Sequence, residues 1–85
     1  MKPSMIDIGQ GNALAGHQVL VVIKPGTSSG KRLRNLARQE NRLVDATGGK
    51  LTRSLVVTVS NHIILSNQEP EELILRLNEY FGSEP

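Results

Sequence analysis

"RLVDATGGKLTRSLVVTV", Arg42 to Val59, holds the signals that decide how this chain folds. It reads as two strands joined at Gly48-Gly49, a dipeptide that supplies the positive φ values a tight hairpin turn demands. Lys50 and Arg53 then flank the turn. Upstream, "QVLVVIKPG" contains five consecutive apolar residues, Val19 to Ile23, closed by Pro25 and Gly26. Such a run is too apolar for a half-exposed strand, so cover is expected on both faces, from helices or from a neighbouring subunit. Met5 to Ile8 alternates apolar and polar and reads as a short strand running into the "GQGN" turn. "NHIILS" gives a further strand.

Between these strands the period changes. Thr27, Ser28 or Ser29 can cap a helix running from about Lys31 to Asn41. Leu33, Leu36 and Ala37 fall on one side of it, with Lys31, Arg34, Arg38 and Arg42 roughly opposite. Like charges at that spacing weaken a helix, so helix formation does not explain them. Pro70, with Glu71 and Glu72 in the first turn, opens a second helix. That helix is expected to bury Leu73, Ile74, Leu77, Tyr80 and Phe81 and to turn Leu75 outward. The order is β-β-α-β-β-β-α. It describes a small single α+β domain over residues 1–85, with a mainly antiparallel sheet of about five short strands, two helices, and flexible ends at 1–4 and 82–85.

A chain of 85 residues without cysteine, whose only aromatics are Tyr80 and Phe81, builds a thin core with no disulfide or thiolate metal to staple it. Self-association is the expected substitute. The longest uncharged run, Ile8 to Ile23, is 16 residues and is broken by glycines, His17 and Gln18, so it is no membrane span. With no secretory signal and no cysteine, the cytoplasm is the expected location.

Net charge is only +2, but it is sorted along the chain: residues 31–53 sum to +5 and residues 69–85 to −4. That polarity suits either an anionic partner or head-to-tail contact between subunits. Known chemistries fit poorly. "GTSSGKR" has three residues between its glycines where a P-loop needs four, and Arg32 where a magnesium-binding hydroxyl belongs. It retains at most a small-anion site at a helix N-terminus. "GQGN" lacks the third glycine of a dinucleotide fingerprint. His17 and His62 have no partners at metal-ligand spacing, and Glu71 and Glu72 are explained by the helix dipole. No enzyme activity and no cofactor is expected. The basic cluster points instead to nucleic acid, and without exposed aromatics to stack bases the target is duplex backbone rather than a single strand.

The segments "IDIGQGN", "KRL…AR", "RLVDATGGKLTR", "HIILS" and "EPEEL" resemble, in order and with similar gaps, the small bacterial RemA-like extracellular-matrix regulators. The resemblance spans Met5 to about Asn78. It implies a DNA-binding transcriptional regulator of biofilm-matrix genes that assembles into a ring-shaped homo-oligomer. Carried over, it assigns DNA contact to Lys50 and Arg53, with Lys31, Arg32, Arg34 and Arg38 as further candidates. Two departures stand out: Gln18 and Leu51 occupy positions where the family carries arginine. The readings to compare are therefore duplex-DNA binding by a ring, an oligomeric scaffold whose basic helix meets the acidic helix of the next subunit, and a small-anion or nucleotide sensor at Gly26 to Lys31.

Overall fold

A computed structural model of the chain describes residues 5–82. It is an α+β domain of six strands, one short 3-10 turn and two helices: β1 (Met5–Gly9), β2 (Asn12–Ala15), the turn Gly16–Gln18, β3 (Val19–Ile23), α1 (Ser28–Gln39), β4 (Leu43–Asp45), β5 (Ser54–Thr58), β6 (Ile63–Ser66) and α2 (Pro70–Gly82). Gly82, counted with the expected flexible end, is the last residue of α2. Residues 1–4 and 83–85 lie outside the described residues.

β1 and β2 form an antiparallel hairpin, and the other four strands form a mixed sheet in the order β3-β5-β6-β4. β2 is the strand the sequence reading lacked. "GQGN" is the hairpin's own turn, with Gly9, Gln10 and Gly11 all at positive φ. The larger correction concerns Gly48-Gly49. The two glycines do have positive φ, 63° and 84°, but they join no hairpin. β4 pairs in parallel with β6, and β6 lies between β4 and β5. The segment 46–53 is a crossover, and its glycines turn the chain within it.

Each face of the sheet has its own apolar cluster. On one face Val56 and Ile64 pack with Ile6, Ile8, Ala46 and Leu73, and Val19, Val22, Leu77 and Tyr80 close around them. On the other, Leu55, Ile63 and Leu65 pack with Ala37, flanked by Ile23, Leu43 and Val57. Burying both faces explains why "SLVVT" and "IILS" read as continuous apolar runs rather than alternations.

β3 does not meet that description. It is an edge strand, and Leu20 and Val21 remain exposed although Val22 and Ile23 reach opposite clusters. The helices are also less buried than their patterns suggest. α1 docks through Ala37, with Leu33 half-buried and Leu36 exposed. α2 buries Leu73, half-buries Leu77 and Tyr80, and leaves Ile74 and Phe81 in solvent beside the expected Leu75. α2 lies mainly over β1 and β3, with Leu73 reaching Val56 and Ile64, so a narrow stripe of Leu73, Leu77 and Tyr80 docks it. The Phe81 ring instead stands edge-on against Tyr80, centroids 4.7 Å apart.

Candidate functional site

Thr27 sets the basic helix. Its hydroxyl accepts the Gly30 N–H at 3.0 Å, which satisfies one orphan donor of the first turn, and its carbonyl accepts the Lys31 N–H at 3.0 Å, the first bond of the helix's own ladder. A Cβ at Gly30 would collide with the Lys24 carbonyl and lie 3.0 Å from the Thr27 hydroxyl. The glycine is therefore there for close packing of the lead-in loop on the helix, and one of the N–H groups a bound anion would use, that of Gly30, is spent on Thr27.

From this start α1 presents Lys31, Arg34, Asn35 and Arg38 around a shallow hollow floored by Pro25. Pro25 also borders a second hollow, lined by Lys24, Leu51, Thr52, Arg53 and Glu69 to Glu71. The structure thus brings Lys31, Arg34 and Arg38 next to Arg53 across one proline. Lys24 joins them, a cation the sequence reading passed over because the following Pro-Gly read as a strand stop. Arg32 and Lys50 are exposed but border neither hollow.

These cations are not equivalent. Arg42, expected in the exposed row, lies past the end of α1, where Asn41 at φ 57° turns the chain. Its Nε and Nη2 meet Glu40 Oε1 at 2.8 and 2.7 Å, and Nη1 donates to the Asn61 carbonyl at 2.6 Å. It clamps α1 to the β5–β6 turn and is not available to a partner. Arg34 is half-buried, with its Nε enclosed and lacking a hydrogen-bond partner. Arg53 faces Glu69 at 3.4 Å in an open, solvent-screened pair. Lys24, Lys31, Arg32, Arg38 and Lys50 make no ion pair among the described residues.

Two motifs of the sequence meet on the other side of the crossover. Asn12 Nδ2 donates to the carbonyls of Gly9 and Ala46, each at 3.3 Å, tying the "GQGN" turn to "DATGG". A Cβ on Gly48 would press on the Gln10 side chain at 3.2 Å. Asp45 Oδ1 accepts the Thr47 hydroxyl at 2.6 Å and the Thr47 N–H at 2.9 Å. Those two bonds, aided by the Arg34 charge, hold the Asp45 carboxyl below its ordinary range. The segment carrying Lys50, Leu51 and Arg53 is thereby held to the hairpin at its start. The Leu51 carbonyl accepts Asn67 Nδ2 at 2.8 Å further along. Leu51 itself is 68% exposed, so it is no core residue. Gln18 is half-buried, and its carbonyl takes the Val59 N–H at 2.9 Å.

The histidines have local explanations. Ser60 Oγ bridges Thr58 Oγ1 and His62 Nδ1, each at 2.9 Å, within the β5–β6 turn, and His17 is exposed on the 3-10 turn. Among the described residues there is no cluster of metal-ligating side chains, and no helix is long and apolar enough to cross a membrane.

Comparison with known proteins agrees with the motifs. The model of the RemA-like family, extracellular matrix regulatory protein A-like, matches residues 5–77. A Thermotoga maritima protein, provisionally named as regulatory, is 46% identical over 77 residues, which cover 91% of this chain and 84% of that protein. Provisionally named regulatory proteins of Maridesulfovibrio salexigens and Thermodesulfovibrio yellowstonii are 47% and 41% identical over 72 and 75 residues, covering 85% and 88% of this chain and 84% and 88% of theirs. A match of that extent, running from β1 into α2 and including the hairpin, crossover and basic helix just described, assigns the chain to the RemA-like family of regulatory proteins.

Proposed function

We propose that this protein is a cytoplasmic DNA-binding transcriptional regulator which assembles as a ring-shaped homo-oligomer and holds duplex DNA mainly by its backbone. The observation that carries this reading is the set of exposed cations with no ion pair among the described residues, Lys24, Lys31, Arg32, Arg38 and Lys50, with Lys31 and Arg38 gathered on one face of α1 beside Lys24 and Arg53. Point charges of this kind position a protein on phosphates without reading bases. The only two aromatics are Tyr80 and Phe81; Phe81 is exposed, contrary to the sequence expectation, but it is a single ring at the end of the acidic α2, too little for a platform on which successive single-stranded bases would stack.

The test is a duplex-DNA shift assay across a salt series, run beside light scattering. Replacing Lys50 and Arg53 together by Ala is expected to leave the mass unchanged and to weaken binding about equally on all sequences. A wild-type protein that shifts no duplex even at low salt would overturn the reading. The scaffold alternative draws on the exposed Leu51 and on the opposite charges of α1 and α2. Under it, Arg38→Glu lowers the oligomer mass. The small-anion sensor is weakest, because Thr27 takes the Gly30 N–H and the hollow beside the helix start is open and lined by long cations rather than by a backbone cradle.

A further inference from the structure

The mixed sheet has two open edges, β3 and β4, and their chain directions are related. β3 is antiparallel to β5, β5 is antiparallel to β6, and β6 is parallel to β4. The two edges therefore run the same way. A copy that lays its β3 beside the β4 of a second copy makes a parallel pair, and the second copy then offers its own β3 to a third. This is a head-to-tail contact, the kind that closes into a ring when its rotation permits.

The pleat limits the register to steps of two residues, and continuing the rows already aligned within one chain selects among them. Within one chain the aligned rows are Val21–Val57–Ile63–Leu43 and Val22–Val56–Ile64–Val44. The first row belongs to the face covered by α1 and the second to the face covered by α2 and the hairpin. Setting Val21 beside the next copy's Leu43, and Val22 beside its Val44, continues both rows without sending a side chain to the wrong face.

The helices are offset in the way such a junction requires. α1 packs over β4 and β6, so its face is bare at the β3 edge, where Val21 is 42% exposed. α2 packs over β1 and β3, so the opposite face is bare at the β4 edge, where Val44 is 45% exposed. Joining the edges carries the neighbour's α1, with its exposed Leu36, toward Val21, and carries this chain's α2, with its exposed Ile74, toward the neighbour's Val44. Each bare half-face receives the helix it lacks. Moreover β3, "VLVVI", has no charge or proline to blunt it, a composition that free edges avoid.

We infer that the partner of the β3 edge is the β4 edge of a second copy, and that the subunits are joined as one continuous sheet in which Val21 meets Leu43 and Val22 meets Val44. This rests on the ring reading above and names its contact. Because the chain has no native cysteine, the V21C/L43C double variant tests it. Two intervening strands put those positions about 14 Å apart within a chain, at about 4.8 Å per strand, too far for a disulfide. Between copies they would be neighbours. Mild oxidation is expected to give a covalent ladder of multimers from the double variant and nothing beyond dimers from either single variant. An oligomer of unchanged mass that forms no ladder would overturn this interface and leave the ring standing. A monomeric wild-type protein would overturn both. As a second arm, Val44→Glu is expected to lower the mass with the circular dichroism spectrum intact, and a folded Val44→Glu protein of wild-type mass would contradict the inference.

Discussion

Asp45 and Thr47 show how single residues set the segment that carries Lys50. The Asp45 carboxylate is stabilised in its charged form first by the Thr47 hydroxyl and then by the Thr47 N–H, so its folded pKa lies below its unfolded one. A depressed carboxylate contributes stability that is present above the unfolded value, near 4, and is lost as pH falls through the folded value. Thr47→Val deletes the larger cause while preserving the shape of a side chain that is buried. The Asp45 pKa, followed by carboxyl NMR, is expected to rise toward its ordinary value. The melting temperature should drop at pH 7, with the gap from wild type narrowing as pH falls below about 4. A Thr47→Val protein with an unmoved Asp45 titration would mean that the hydroxyl is not what holds the acid down.

At the scale of elements, α1 and its cap were the most legible part of the chain. Thr27 was one of three capping candidates, and the structure selects it by the 3.0 Å bond to Gly30. Thr27→Ala is expected to cost about 1 kcal/mol in denaturant unfolding, and loss of less than a few tenths would show that the cap contributes nothing. The strand pairing was the least legible. Gly48-Gly49 carries a real local requirement, positive φ, but a dipeptide does not say which strands it separates. The pairing of β4 with β6 is set by contacts made far along the chain, such as Ala46 N–H to the Leu65 carbonyl at 2.9 Å. β2 was missed for a related reason. "NALA" has little branched or aromatic content, and it is a strand because the "GQGN" turn folds it back on β1. The basic candidates were legible as composition, whereas their sorting depended on tertiary partners. Arg42 finds Asn61 and Glu40, Arg34 sinks toward Asp45, and Lys24 gains Arg53 only across Pro25.

For the whole molecule, under the proposed DNA-binding function, the quantity to measure is how many phosphates each subunit would neutralise. Counterion release gives a slope of log affinity against log salt of about −0.9 for each one. This chain has Gln18 and Leu51 where the resemblance expects arginines, so its slope per subunit should be shallow. Whether arginine fits at 51 is answered by the fold: Leu51 is a 68% exposed loop residue, and replacing it removes no core contact. Position 18 is tighter, but its structural contribution is the carbonyl bond to Val59, which any side chain retains. The Gln18→Arg/Leu51→Arg double variant is therefore expected to fold like the parent. It should steepen the slope by roughly one unit per added contact and bind more tightly at fixed salt. In a ring the gain multiplies, because once one subunit is engaged the next meets the same DNA at a high effective concentration. Circular dichroism and light scattering confirm that the compared species are folded and of equal mass. A folded double variant of unchanged mass, with both affinity and slope at parental values, would place positions 18 and 51 away from the DNA. The binding surface would then have to be sought around Pro25, among Lys24, Lys31 and Arg38.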